Sequence, residues 1–102
     1  MNYEFKRVYR KGSLKSGRYI VLYTLKNRYD NNRLGITTSK KVGKSVKRNR
    51  FRRIIKENYR LLELNVNTGY DLVFVARSVD KLPTFNELGK EMKYLLKNQG
   101  VL

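Results

Sequence analysis

Between Lys40 and Arg60 ten cations stand against one acid. Lys40, Lys41, Lys44, Lys47, Arg48, Arg50, Arg52, Arg53, Lys56 and Arg60 oppose Glu57 alone, a local charge of +9. Residues of this kind act by binding a polyanion, because their mutual repulsion works against folding and a phosphate-rich partner relieves it. Arginine predominates in the second half of the stretch, and a planar guanidinium grips phosphate through two bonds or stacks on a base where an ammonium cannot. A second set is aromatic: Phe5, Tyr9, Tyr19 and Tyr23 fall in the basic first part of the chain. Rings bordered by cations form a platform for unpaired bases, at roughly 1–3 kcal/mol per base. Single-stranded RNA suits it best, since A-form duplexes hide their bases in a deep, narrow groove.

Chemistry carried out by the chain itself finds few candidates. The sequence has no cysteine and no histidine, which excludes disulfides, thiolate or imidazole metal sites, and Ser-His or Cys-His nucleophile pairs. The acids are Glu4, Asp30, Glu57, Glu63, Asp71, Asp80, Glu87 and Glu91, and none forms a D-x-D or E-x-x-E cluster suited to a nucleolytic metal pair. No catalytic residue is therefore expected, and no metal site built by the protein alone. VGKS at 42–45 only echoes a phosphate loop, because the upstream glycine is missing.

The elements that must position these groups follow from periodicity. Phe51, Ile54, Ile55, Asn58, Tyr59 and Leu62 keep helical spacing, so a helix is expected from after Gly43 to near Leu64. Arg48, Arg52, Lys56 and Arg60 advance by about 40° per step and form a stripe away from the apolar one. Phe5, Val8 and Tyr9 predict a short helix over Tyr3 to Lys11, ended by Gly12. Residues 18–26 read as a strand with Tyr19, Val21, Tyr23 and Leu25 on one face and Ile20, Leu22 and Thr24 on the other. The turn formers at 27–32 are expected to pair it antiparallel with a strand over 33–39, a hairpin beside which the strand at 70–77 lies. That last strand is apolar on both sides, as a central strand should be. Thr84 and Glu87 form a capping box, and Phe85, Leu88, Met92, Leu95 and Leu96 extend a final helix to about 98. The order indicates a single α+β domain over 1–102.

Composition agrees with one domain: 102 residues, 40% of them hydrophobic, suffice for one modest core. The net charge is +16, divided as +7 over residues 1–39, +9 over 40–60 and zero over 61–102, so the basic face belongs to the front of the chain. The start has no signal-peptide core and no apolar run approaches a bilayer span, which predicts a cytoplasmic protein with no membrane partner. A membrane-surface or calmodulin-target helix could share the basic pattern, but here the apolar face is needed for the core. A small basic ribosomal protein or other structural RNA-binding protein, and a binder of duplex DNA, remain as alternatives.

The stretch RLGITTSKKVGKSVKRNRFRRIIKE, from Arg33 to Glu57, resembles the bacterial ribonuclease P protein subunit in its strand, its S-K-K-x-G-x-x-V turn and its R-N-R helix at Arg48, Asn49 and Arg50. FKRVYRKG, YIVLYTL, DLVFVAR and the last helix extend the resemblance over nearly the whole chain. It implies an α-β-β-β-α-β-α sandwich like the second domain of ribosomal protein S5. Its four-stranded sheet has a left-handed β-α-β crossover, against the usual hand, and an additional strand near Ser13 to Lys15. It further implies a subunit of a ribonucleoprotein endonuclease in which the RNA subunit cleaves the 5′ leader from precursor tRNA, with Mg2+ held mainly by RNA and no small-molecule substrate. Carried over by position, Lys40, Lys41, Lys44, Lys47, Arg48, Asn49, Arg50 and Arg53 would face the catalytic RNA. Phe5, Tyr9, Val21 and Tyr23, with Arg52 and Lys56 at the margin, would form the leader cleft. The chain departs from many members in starting almost at the first helix, without their basic N-terminal extension, and in having tyrosine at position 9 where phenylalanine is common.

Overall fold

A computed structural model describes residues 5–102. Helix α1 (Lys6–Lys11) is followed by β1 (Ser13–Ser16), β2 (Ile20–Lys26) and β3 (Arg33–Thr37). A 3-10 turn at Lys40–Val42 leads into α2 (Ser45–Leu62). A second turn, Glu63–Asn65, leads to β4 (Tyr70–Ala76) and α3 (Phe85–Asn98). The α-β-β-β-α-β-α order is as expected, including the short strand after α1 and the extent of α2. Positions 3 and 4, with which the expected first helix begins, lie outside the described residues.

Strand pairing departs from the expected hairpin. The sheet order is β1-β2-β4-β3: β4 lies between β2 and β3, antiparallel to the first and parallel to the second. The reason is burial. Asp71, Leu72, Val73 and Phe74 are buried in succession, so β4 must be covered on both faces and flanked on both edges. The five-residue β3 has one buried position, Gly35, which an edge strand tolerates. Residues 27–32 thus bridge the end of β4, held by their asparagines. The Asn27 amide N–H donates to the Gly69 carbonyl (2.8 Å) and the Asn32 side chain donates to the Asn67 carbonyl (2.9 Å). Asn32 also accepts from the Tyr70 N–H (2.8 Å).

Each face of the sheet has its own cover. Ile20, Leu22, Leu72 and Phe74 pack with Phe51, Ile55 and Tyr59 of α2 and with Leu88, Met92, Leu95 and Leu96 of α3. Phe74 meets Tyr59 edge-on at 6.1 Å. Each such large side chain contributes about 1.5–3 kcal/mol by leaving water. Asn58, the polar member of the α2 stripe, is buried and donates to the carbonyls of Ile54 (3.1 Å) and Phe85 (3.0 Å), joining α2 to the start of α3. The capping box of α3 forms as read: Thr84 Oγ1 accepts from the Glu87 N–H (3.1 Å) and Glu87 Oε1 from the Thr84 N–H (2.9 Å). One turn on, Glu91 accepts from the backbone N–H groups of Arg18, Tyr19 and Ile20 at 2.8–2.9 Å and clamps the start of β2 onto α3. The opposite face carries Val21, Tyr23, Val73 and Gly35, with α1 laid over it through the fully buried Val8.

Candidate nucleic-acid interface

The exterior of α2 is cationic because its interior is apolar. With Phe51, Ile55, Asn58 and Tyr59 turned inward, Asn49, Arg50, Arg52, Arg53, Lys56 and Arg60 are exposed. Asn49, Arg52, Arg53, Lys56 and Arg60, with Glu57, line a shallow groove of about 390 Å³. The expected stripe through Arg48 divides, however. At about 40° per step its first member falls at the core margin; Arg48 is half-buried, and its Nε is enclosed without a hydrogen-bond partner among the described residues. Lys47 is also half-buried, its ammonium donating to the carbonyls of Val79 (2.7 Å) and Asp80 (3.4 Å). Lys40, Lys41 and Lys44 are exposed ahead of the helix. Their turn closes at Gly43, whose φ of 144° suits a residue without Cβ, and it is braced by Ser78 Oγ donating to the Lys41 carbonyl (2.9 Å).

The aromatic set assembles on the α1 face of the sheet. Tyr9 and Tyr23 meet edge-to-face with ring centroids 4.9 Å apart. The Tyr9 hydroxyl pairs with Thr37 Oγ1 at 2.9 Å. Register places Leu14, Tyr23, Val73 and Gly35 in one row and Ser16, Val21, Val75 and Thr37 in the next, so Val21 lies on the same floor. Phe5 lies against Gly35, where a Cβ would come within 2.8 Å of its ring. Arg52 reaches the end of β3, donating from Nη2 to Thr38 Oγ1 at 3.1 Å, one residue past Thr37 of the floor. Lys56, one turn on, lines a separate concavity beside Leu34 and Tyr59.

Tyr19 leaves the expected aromatic group. It precedes β2, so strand alternation does not govern it, and α3 claims it instead: its N–H donates to Glu91 (2.9 Å) and its hydroxyl to Glu87 (3.3 Å). Residue type alone does not single out Gly35 and Thr37, although the alternation of RLGITTS carries the signal. Gly35→Ala is expected to displace the Phe5 ring, since its Cβ would come within 2.8 Å of it, while the Tyr9–Tyr23 contact is retained; aromatic side-chain NMR on the full chain reads both.

Asp71, Glu87 and Glu91 are engaged structurally. The Arg33 guanidinium holds Asp71 through Nε–Oδ1 (2.8 Å) and Nη2–Oδ2 (2.7 Å), and Asn27 adds a third bond at 3.0 Å. These bonds, Arg33 foremost, hold the Asp71 carboxyl below its ordinary range against the opposing effect of burial, with the Arg7 charge assisting. The capping bonds from Thr84 likewise lower Glu87. Among the described residues no group of three or more acids gathers to hold a metal ion, and no helix is long and apolar enough to cross a membrane.

This order of elements has known counterparts. The family model described as Ribonuclease P matches residues 1–100. The chain belongs to the ribonuclease P protein family. Its relatives include the ribonuclease P protein component of Clostridium botulinum strain Okra, 50% identical over 98% of this chain and 91% of the relative. That of Clostridioides difficile strain 630 is 46% identical over 96% and 87%. The RNase P protein of Staphylococcus aureus superposes with a TM-score of 0.88 at 34% identity, covering 99% of this chain and 93% of that one. The Thermotoga maritima RNase P protein does so with 0.84 at 28%, covering 94% and 91%. Within this ribonuclease P protein fold, the stretch that carried the resemblance is β3, the basic turn and the first two-thirds of α2.

Proposed function

We propose that the chain is the protein subunit of a ribonuclease P holoenzyme, an endoribonuclease of tRNA processing in which the RNA subunit is catalytic. The Arg52–Thr38 bond carries the reading, because it ties the exposed cationic face of α2 to the end of β3, next to Thr37 of the aromatic floor. Exposed Lys40, Lys41, Lys44, Asn49, Arg50 and Arg53 contact the catalytic RNA, while Arg48 and Lys47 shape the helix start from its half-buried side. Phe5, Tyr9, Val21 and Tyr23 receive the single-stranded 5′ leader of precursor tRNA, with Arg52 and Lys56 on its phosphates. Among the described residues no side chain caps the α2 N-terminus, so its first amides and the helix dipole add to the field that draws phosphate. Magnesium ions held mainly by the RNA supply the hydrolytic chemistry; Asp71, Glu87 and Glu91 are bonded instead to Arg33, to a helix cap and to backbone amides.

The purified chain alone is expected not to cleave precursor tRNA, and adding it to its RNA subunit at low magnesium to restore cleavage. Efficient cleavage without RNA would overturn the assignment. Arg53→Ala, at an exposed position, should weaken affinity for the RNA subunit and reduce the slope of log affinity against log salt by roughly 0.7–0.9 for the one phosphate left without its cation. An unchanged slope in a salt titration would remove Arg53 from the interface.

A further inference from the structure

At the open edge of β3, around the rim of the sheet from the aromatic floor, lies a concavity of about 490 Å³ bounded by the end of α2 and the following loop. Its walls are apolar: Leu34, whose side chain packs toward the α2 side of the sheet, Val66, and Leu64, which is 95% exposed and stands outside the core. Tyr59 forms its base, with a hydroxyl that burial keeps protonated beyond the ordinary tyrosine range. Lys56 and Arg60 stand on its rim, one helical turn or about 6 Å apart, and Glu63 lines it from the 3-10 turn. The volume lies in the usual range for small-molecule sites, about 300–1,000 Å³, and apolar walls with a few polar groups are their usual lining.

We propose that this concavity binds one unpaired ribonucleotide, its phosphate on Lys56 and Arg60, its base between Leu34, Leu64 and Val66, and an amino group of the base donating to Glu63. The assignment rests on the RNA-binding reading above and deepens it. An RNA strand following the exposed face of α2 from Arg52 to Arg60 arrives at this edge, and a base turned inward there covers the exposed Leu64. A phosphate alone would leave the apolar walls wet, and a purely apolar ligand would ignore the two cations. The Asn32 side chain, already donating to Asn67 and accepting from Tyr70, serves as a rigid wall. The carboxylate of Glu63 accepts the exocyclic amino group of cytosine, adenine or guanine, and uracil has none to offer.

Methyl NMR on the full chain, titrated with GMP, AMP, CMP, UMP and ribose 5-phosphate, tests the site. The three amino-bearing nucleotides should shift the Leu34, Leu64 and Val66 methyls and bind about three- to tenfold more tightly than UMP, the effect of one charge-assisted hydrogen bond in partly wet surroundings. Glu63→Gln, at an exposed position that leaves the thermal midpoint unchanged, should bring the four nucleotides to near parity. Shifts confined to Val21, Val73 and Val75 on the aromatic floor, or equal binding of ribose 5-phosphate and GMP, would overturn the proposal. In the assembled enzyme, a photo-crosslinker at position 64 identifies the source of the base: capture of the RNA subunit or of precursor tRNA supports the site, and capture of neither overturns it. Should the chain bind its RNA with the salt dependence described while these methyls stay silent, the nucleotide site fails and the RNA-binding function stands. Loss of RNA binding altogether removes both.

Discussion

Tyr23→Ala is expected to lower the preference of the assembled enzyme for precursor over mature tRNA by about 5- to 150-fold, the equivalent of one stacked base at 1–3 kcal/mol. The mutation removes the ring that meets Tyr9 at 4.9 Å and opens the centre of the floor between Leu14 and Val73. Tyr9 keeps its tie to Thr37, so the floor loses a stacking surface rather than its framework. Tyr23→Phe retains the ring and should behave nearly as wild type, because the hydroxyl on this floor that is bonded to β3 is that of Tyr9. Equilibrium binding of both tRNAs to holoenzymes carrying each variant checks this. Equal losses for precursor and mature tRNA would reassign Tyr23 to folding.

Asp71→Asn should destabilise the fold by about 3 kcal/mol at neutral pH, the low end of the range for breaking a buried pair, because Arg33 retains a third of its side-chain exposure to water. The pH dependence has a definite sign. The folded carboxyl titrates below the ordinary value of 3.8, so the unfolded chain takes up a proton first as acid is added. The stabilisation from Asp71 is complete above about pH 5 and disappears as pH falls from there through the lowered folded value. The stability gap between wild type and Asp71→Asn, measured by urea denaturation, should be widest at neutral pH and narrow steadily toward pH 3. Because Asp71 is also the buried anion opposite Arg33 and near Arg7 on the α1 face, the same variant should loosen α1 and weaken leader binding before catalytic-RNA binding.

The elements themselves are legible because each is specified by residues close in sequence. The apolar spacing of Phe51, Ile55 and Tyr59 predicts α2, Thr84 and Glu87 predict the start of α3, and the continuous apolar run of β4 predicts its central place; all three are seen. Strand β1 comes only from the family resemblance, since SLKS has no alternation of buried and exposed residues to reveal it and three of its four positions are exposed. The cationic exterior of α2 is equally legible, because a helix with a specified interior has a specified exterior. The helical wheel brings Arg48 and Lys47 to the margin of the apolar arc, but it takes no account of the Val79–Asp80 loop that receives the Lys47 ammonium at the helix start.

Local sequence thus determined the type of each element, the charge of α2, the lack of thiol and imidazole chemistry, and, through the order of its motifs, the family. The tertiary structure decided what depends on distant partners. Turn residues at 27–32 cannot specify that a strand forty residues later enters between β2 and β3, since pairing is chosen by where the doubly buried β4 finds cover. Nor can Tyr19 announce that Glu87 and Glu91, some seventy residues on, will draw it to α3. The meeting of Arg52 with Thr38 likewise depends on α2 folding back over β3. Those contacts decide which aromatics share the floor and which cations stay exposed, because burial and hydrogen bonding act between residues adjacent in space.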